Sequence, residues 1–370
     1  MQRRVSALRF TQSVNFAEWK VIVTQSANPL VSTIVLSYNQ CQYVLETLES
    51  VKAQSYKFTQ LIIVDDCSTD GSVGTIDRWL QANEINCTFI RHKQNQGICK
   101  SLNDALAVAT GKYISMVASD DVWLPDKIAR QVEIMESQSD QVGVLYSDAF
   151  QINEHGYPLP DMFIAAHRNL PEMPQGEVLT ILLKGNFIPG MTTLIRQSCY
   201  RGAGLYDENL PWEDWDMWLR IARHYSFVYS PIPSAKYRHH EKSLSHSDQA
   251  GMLKGAVKIG LKQFGLGHLT EDQKSTLIEM LLKSSAELYS REGVRSASIL
   301  LAVWQATEDE EIGSMYRFAR FGFSFRNWRR ANLLRDIIRA RLWHPVLNAT
   351  RPVRHALGLR QEKFRPSMKK

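Results

Sequence analysis

Cysteine is scarce. The 370 residues hold five, Cys41, Cys67, Cys87, Cys99 and Cys199, odd in number, scattered, and without a Cys-x-x-Cys pair. That argues against a disulfide framework and a structural zinc site, and for a reducing compartment. No apolar run approaches the roughly 20 residues that a spanning helix needs. None follows the basic start Met1-Gln2-Arg3-Arg4, so no secretory leader is expected and any work at a membrane is done from its surface. No nucleic-acid reader motif is present. Acidic residues are missing from one place: between Arg317 and Lys370 there are only Asp336 and Glu362. The net charge of +6 therefore belongs to that tail, and the remainder of the chain is net acidic.

What is present is ordinary for a soluble globular protein, 44% hydrophobic and 22% charged, with length enough for more than one unit. Residues 1–29 show no clear period. From Val31 the chain alternates between β-rich runs and helical spacing. Strands are expected at 31–37, 61–65, 87–91, 113–118 and 142–146, and helices from Gln42 (Val44, Leu45, Leu48, Val51), around Ile76 to Leu80, over 98–108, and at Ile128, Val132 and Met135. This is the pattern of a layered, mainly parallel α/β domain. A loop or lid is expected over 151–170, a strand over 191–195, a helix opening at Trp212-Glu213-Asp214, and two short strands at 227–229 and 235–238. Residues 249–307 read as helical. Beyond Ile312 the helices become basic, with Leu333, Leu334, Ile337, Ile338 and Leu342 on one face and Trp343 at the end.

Two of the strands end in paired acids, Asp65-Asp66 and Asp120-Asp121, where open α/β sheets bind ligands. Asp120-Asp121 suits either a divalent metal, with a ligand's phosphates completing the shell, or a helix N-cap. The matching pair on another strand favours a site. Glu213-Asp214, flanked by tryptophans, suits a proton acceptor in dry surroundings or, again, a cap. His239-His240 fits a metal or phosphate contact or a surface pair. Lys100 and Arg91, near the Asn95-Gln96-Gly97 break, fit diphosphate neutralisation or solvated surface.

In order along the chain, Val31 to Asn39, Ile63 to Ser72, Asn95-Gln96-Gly97 with Asn103, Ser119-Asp120-Asp121 and Glu213-Asp214-Trp215-Asp216-Met217-Trp218-Leu219-Arg220 resemble the family 2 glycosyltransferases of GT-A fold. The resemblance covers roughly residues 31–245. It implies an α/β fold, a Rossmann-like mixed sheet flanked by helices, followed here by a C-terminal helical region. The units are then an N-terminal extension (1–29), a GT-A domain (30–246), a helical region (247–311) and a basic amphipathic tail (312–370).

The resemblance also implies an inverting transfer of a sugar from a nucleoside diphosphate, of UDP or dTDP type, with Mg or Mn. Carried over by position, Ser37, Tyr38 and Asn39 border the nucleotide. Asp65 and Asp66 contact the base, mostly through the latter, and Asn95, Gly97 and Lys100 belong to the same donor site. Asp120 and Asp121 match the end of the family's Asp-x-Asp-Asp stretch, which holds ribose and metal. Its first aspartate is replaced by Ala118, leaving two acids. Asp214 matches the catalytic base, with Glu213 beside it. Tyr237-Arg238-His239-His240 with Ser243 and Ser245 resembles the segment in which His240 is the matching histidine. Gly185-Asn186 to Thr193 resembles the acceptor side.

The expected protein is a cytoplasmic enzyme, peripheral on the inner face of the cell membrane through its basic tail. It would glycosylate a glycan or lipid-linked acceptor in bacterial cell-surface polysaccharide synthesis, with no nucleic-acid partner. A nucleotidyltransferase is the rival enzyme, but Ser37-Tyr38-Asn39-Gln40 is not the Gly-rich phosphate loop that class uses. A catalytically weak nucleotide-sugar-binding protein is the rival outside enzymes. Ala118 favours it slightly, and the retained Asp214 argues against it.

Overall fold

The computed structural model describes residues 28–168, 170–211, 213–243 and 249–333. The N-terminal extension and most of the basic tail, including Leu334, Ile337, Ile338, Leu342 and Trp343, lie outside them, as do Trp212 and Ser245.

An eight-stranded sheet organises the α/β part. Four strands, β1 (Val31–Ser37), β2 (Thr59–Asp65), β3 (Thr88–Arg91) and β4 (Tyr113–Ala118), pair in parallel in the order β3-β2-β1-β4. The sheet continues through β7 (Leu194–Arg196), β6 (Val142–Ile152), β8 (Ser226–Arg238) and β5 (Val122–Trp123), of which β7 and β5 run against the rest. The expectation of a mixed sheet flanked by helices holds. The chain leaves β1 towards β2 on one side and returns to β4 on the other, so the crevice between β1 and β4 is a topological switch point.

Alternation along the strands builds two cores. Val31, Val35, Ile63, Tyr113 and Val117 face α1 (Val44–Lys52), α2 (Ser72–Asn83) and α4 (Lys127–Ser137). Ile34, Ile62, Val64, Ile114 and Met116 face α3 (Ile98–Val108), α6 (Leu179–Leu183) and α8 (Asp214–Ile221). The central strands are buried on both faces, which is why they read as continuous apolar runs. Gly111 admits no side chain before β4: a Cβ there would stand 2.5 Å from the Ser32 amide nitrogen.

Several local expectations change. The strand from Val142 runs on to Ile152, and the loosened segment after it forms a turn bridged at Ile152 and Pro158, then a short helix, α5 (Phe163–His167). Pro189 and Gly190 start a 3-10 turn (Gly190–Thr192) where a strand was expected, so β7 begins only at Leu194. The two short strands near 227 and 235 are one strand, β8. Its pairing with β6 passes from Ser147↔Ser230 to Ala149↔Ala235, which leaves the stretch of Pro231 and Pro233, residues without an amide proton, out of the ladder. The two-residue β5 was not anticipated.

After α7 (Ser198–Ala203), α8 and β8 come α9 (Gln249–Leu266), α10 (Glu271–Glu292), α11 (Ala297–Thr307) and α12 (Glu310–Arg320). Thr270 and Gln273 close a capping box on α10, and Asp309 caps α12. Val257, Leu277, Leu281, Leu300 and Ile312 join the same buried cluster as Ile34 and Trp218, so these helices complete the core over one face of the sheet. Among the described residues, no helix is long and apolar enough to cross a membrane.

Candidate functional site

Parallel register aligns the strand ends. Ser37 lies beside Asp65, Asp65 beside Arg91, and Leu36 beside Ala118. One edge of the sheet therefore carries Ser37-Tyr38-Asn39, Asp65-Asp66, His92 and Ser119-Asp120-Asp121.

The first acid pair is largely consumed in building this edge. Ser37 Oγ donates to Asp65 Oδ2 at 2.9 Å, and Ser68 donates to Asp65 through its amide (2.8 Å) and hydroxyl (2.6 Å). Asp66 accepts from the amides of Gln96 and Gly97, both at 2.8 Å, and sits 2.7 Å from His92 Nδ1. Both carboxylates are buried. Asp66 thus pins the break that opens α3. Gly97, at φ +87°, supplies the backbone conformation there that other residues rarely adopt. Asn39 is similarly occupied: its Oδ1 accepts from the Thr69 amide at 2.8 Å. Tyr38 is 47% exposed and Asn95 is exposed, so these two face outward from the edge.

Two basic residues expected near the diphosphate are spent elsewhere. Arg91 pairs with Asp77 and covers the Phe89 ring. Lys100 pairs with Asp104 on its own helix, and Asp104 also meets His92 Nε2 at 3.1 Å.

The second acid pair divides its labour. Asp121 is buried, and its Oδ1 accepts from the Arg238 amide at 2.9 Å. Burial, and then the neighbouring Asp120 charge, push its carboxyl well above the usual range. Asp120 is more open, and its Oδ2 lies 2.9 Å from His240 Nε2 and 3.3 Å from Gln40 Nε2. Arg238 holds both acids. Its Nε donates to the Asp120 carbonyl at 2.8 Å, its Nη2 reaches Glu46 at 2.5 Å, and its guanidinium lies 4.8 Å from the Tyr43 ring. His239 turns away, towards Gln151 Oε1 at 2.7 Å, so His240 is the histidine at the site.

Among the described residues no three His, Cys, Asp or Glu side chains converge as a metal cluster. The donor set that does exist fits a divalent ion held by few protein ligands. Asp120 supplies a carboxylate and His240 an imidazole, and Ser119 Oγ and Ser243 Oγ, adjoining them in sequence, are buried without a partner among the described residues.

Asp214 opens α8 and is partly exposed. Its Oδ1 accepts from the Trp215 amide and its Oδ2 from Asn186 Nδ2, each at 2.6 Å. Loss of water pushes its carboxyl up to about 6, against those hydrogen bonds. Burial and the Asp214 charge push Glu213 up to about 8. Trp215 and Trp218 are core residues beneath, and Trp215 Nε1 donates to the Leu182 carbonyl at 2.8 Å. Behind the helix, Asp216 pairs with Arg220 (2.8 Å) and with Lys262 of α9 (3.0 Å), so the C-terminal helices brace the element that carries Asp214.

The 186–193 segment connects the two halves. Antiparallel pairing of β4 with β7 returns Gly190–Thr192 to the carboxyl edge near Ala118. A Cβ at Gly190 would stand 4.0 Å from Asp214 Cβ. Three successive carbonyls of this segment are held by the stretch that follows Asp121. Trp123 Nε1 donates to Met191 (2.9 Å), Gln131 Nε2 to Thr192 (2.6 Å) and Lys127 Nζ to Thr193 (3.1 Å). The segment thus meets Asp214 at Asn186 and Gly190, and the stretch after Asp121 at the Met191, Thr192 and Thr193 carbonyls. The sequence motifs named Asp120 and Asp214; Gln40, Glu46, His92, Trp123 and Lys127 carry no sequence pattern that marks them.

The sequence profile described as Glycosyl transferase family 2 matches residues 32–201. A putative glycosyltransferase of Bacillus subtilis, EpsE, is 31% identical over 200 residues, covering 53% of this chain and 68% of that protein. The chain belongs to glycosyl transferase family 2. The putative teichuronic acid biosynthesis glycosyltransferase TuaG of Bacillus subtilis is 36% identical over 143 residues, 38% of this chain and 55% of that protein. The chain spans only about a third of the length of several Rickettsia glycosyltransferases that it matches. Among solved structures, S. aureus TarS 1-349 in complex with UDP-GlcNAc superposes with a TM-score of 0.54 at 16% identity, over 79% of this chain and 92% of that one. At that identity the likeness shows the GT-A-like fold.

Proposed function

We propose that this family 2 glycosyltransferase moves a sugar, with inversion, from a nucleoside diphosphate to an acceptor hydroxyl, with Asp214 as the base. The observation that carries the reading is the Asp214 carboxylate itself. It is partly exposed, oriented by Asn186, raised to about 6, and beside Gly190 of the 186–193 segment. A base with that affinity takes a proton near neutral pH and is still ionised beforehand. The acceptor hydroxyl gives its proton to Asp214, its oxygen forms a bond to the anomeric carbon, and the bond from that carbon to the diphosphate oxygen breaks. Glu213, held largely protonated beside it, leaves Asp214 as the charged member of the pair.

In this reading the nucleotide lies along the β1–β2 edge, where Asp65 and Asp66 set the shape and Tyr38 and Asn95 face the ligand. Asp120 and His240 hold the metal, and Asp121 is a wall residue. A bound divalent ion would neutralise the charge that develops on the departing diphosphate. The histidine ligand favours Mn over Mg. UDP is the expected nucleotide, as TarS was crystallised with UDP-GlcNAc. The TuaG likeness supports a polysaccharide acceptor. Titrating UDP-GlcNAc into the full chain with and without Mn tests the donor reading: metal-dependent binding is expected, and tight binding in EDTA would refute the metal's place.

Membrane attachment through the tail is part of the same proposal. Phe321 is 74% exposed and Phe323 49% exposed, next to Arg320, Arg326 and Arg329, which suits an anionic lipid surface. Co-sedimentation with phosphatidylglycerol vesicles, lost when residues 312–370 are removed, is the expected result. Equal sedimentation of both chains would remove the tail from the account.

A further inference from the structure

We propose that the Arg168 guanidinium is an oxyanion-binding subsite on the acceptor side, so that the hydroxyl presented to Asp214 belongs to a molecule carrying a phosphodiester or a carboxylate. This rests on the reading of Asp214 as the base.

Arg168 follows α5 and reaches over the start of the 186–193 segment. Its Nε donates to the Asn186 carbonyl at 3.2 Å, while the Asn186 side-chain amide donates to Asp214 Oδ2 at 2.6 Å. One residue therefore holds the cation by its backbone and the carboxylate by its side chain. The seat is built for the guanidinium. Gly185 has φ +133°, and a Cβ there would collide with Arg168 Nη2. Any side chain at Gly185 would displace the cation.

The remaining nitrogens of Arg168 are unspent. No carboxylate pairs with it among the described residues, and the Asn186 carbonyl is the one hydrogen-bond partner of its guanidinium there. Other half-buried or buried arginines have further partners, although Arg220 also keeps Nη2 buried without one among the described residues. Arg238 is paired with Glu46, Arg220 with Asp216, and Arg196 donates to Val142, Tyr113 and Met135, while Arg223 is occupied by Gln263 and Gly267. Loss of water around Arg168 lowers its proton affinity, as it does for Arg223. A partly dry guanidinium without an anion is costly, and it presents a planar fork that matches an oxyanion. Lys184, exposed on the neighbouring turn, adds charge of the same sign.

The proposed reaction assigns the donor's diphosphate to Asp120 and His240, and Arg168, which shares Asn186 with Asp214, to the acceptor. The test uses the full chain loaded with UDP and Mn. Binding of sn-glycerol 3-phosphate and of methyl β-glucuronide is measured against glycerol and methyl β-glucoside, in wild type, Arg168→Lys and Arg168→Met. A charged probe should bind wild type while its neutral counterpart does not. Affinity should fall at least tenfold in Arg168→Met and less in Arg168→Lys, with UDP affinity unchanged in all three. Binding of the phosphate alone or the glucuronide alone identifies which oxyanion the subsite takes. The proposal is overturned if neither charged probe binds, if neutral and charged probes bind alike, if Arg168→Met keeps the affinity, or if UDP affinity falls instead. Failure of wild type to bind UDP would strike the donor reading separately.

Discussion

Asp214→Asn should reduce sugar transfer by about 10³-fold while leaving the affinity for donor and metal within a factor of two or three. Removing a positioned general base typically costs 10² to 10⁴. The amide is nearly the same size, so Trp215, Asn186 and the start of α8 need not move far. The amide nevertheless cannot take the hydroxyl proton. Glu213 cannot substitute for it, because its proton affinity near 8 leaves it mostly protonated at neutral pH and it lacks the Asn186 contact. Donor affinity is spared because the Asp214 side chain bonds the Trp215 amide and Asn186 and none of the residues assigned to the nucleotide or metal. A variant that turned over at the wild-type rate, with an unchanged circular dichroism spectrum, would remove Asp214 from the chemistry. Equal losses in donor affinity and in rate would mean that the residue shapes the site and does not take the proton.

Asp120→Ala should weaken Mn-dependent UDP-sugar binding by at least tenfold and reduce transfer at sub-saturating donor accordingly. Changes to groups one step removed from a metal already cost 10- to 100-fold. Asp120 is proposed as a direct ligand and also receives His240 and Gln40. The same substitution at Asp121 should behave differently. Asp121 is buried against the Arg238 amide, so its removal leaves a buried donor unpaired and shows first as lost thermal stability. Calorimetry and thermal unfolding of the two variants, side by side, separate ligand from wall. If Asp121→Ala lost the metal response and kept its stability while Asp120→Ala did not, the two assignments would be exchanged.

The contrast between these acids explains what could be read from the sequence. The α/β order, the strand ends and the positions of Asp120, Asp214 and His240 follow from apolar runs that stop at turn residues, which is local information. The work each carboxylate does depends on partners far away in sequence. Asp66 is 26 to 31 residues from the groups it binds, Asp121 is 117 from the Arg238 amide, and Asp214 is 28 from Asn186. No local pattern announces that Asp66 accepts two backbone amides or that Asp120 meets His240 and Gln40. Lys100 meets Asp104 at the i,i+4 spacing of its own helix, a pairing local enough to be legible, whereas Arg91 of β3 meets Asp77 of α2 only in the folded chain. The prolines of β8 hid a continuous strand, since their missing amide protons suggest a break where the sheet instead bulges. Arg168 fell in a stretch that reads as a loop, and only the folded chain sets it against Gly185 and Asn186.

In the proposed reaction a carboxylate of raised proton affinity, at Asp214, takes the acceptor proton. The pH dependence of kcat/KM for transfer tests it most directly, measured for wild type with donor, Mn and an acceptor of constant charge. A base must be ionised to act, so activity should rise with pH through an apparent value of about 6, set by Asp214, and then level off. Glu213→Gln, which replaces a side chain already largely neutral at that pH, should leave that midpoint in place. A profile that stays flat from pH 4.5 to 8, or a midpoint that persists in the residual activity of Asp214→Asn, would contradict the claim.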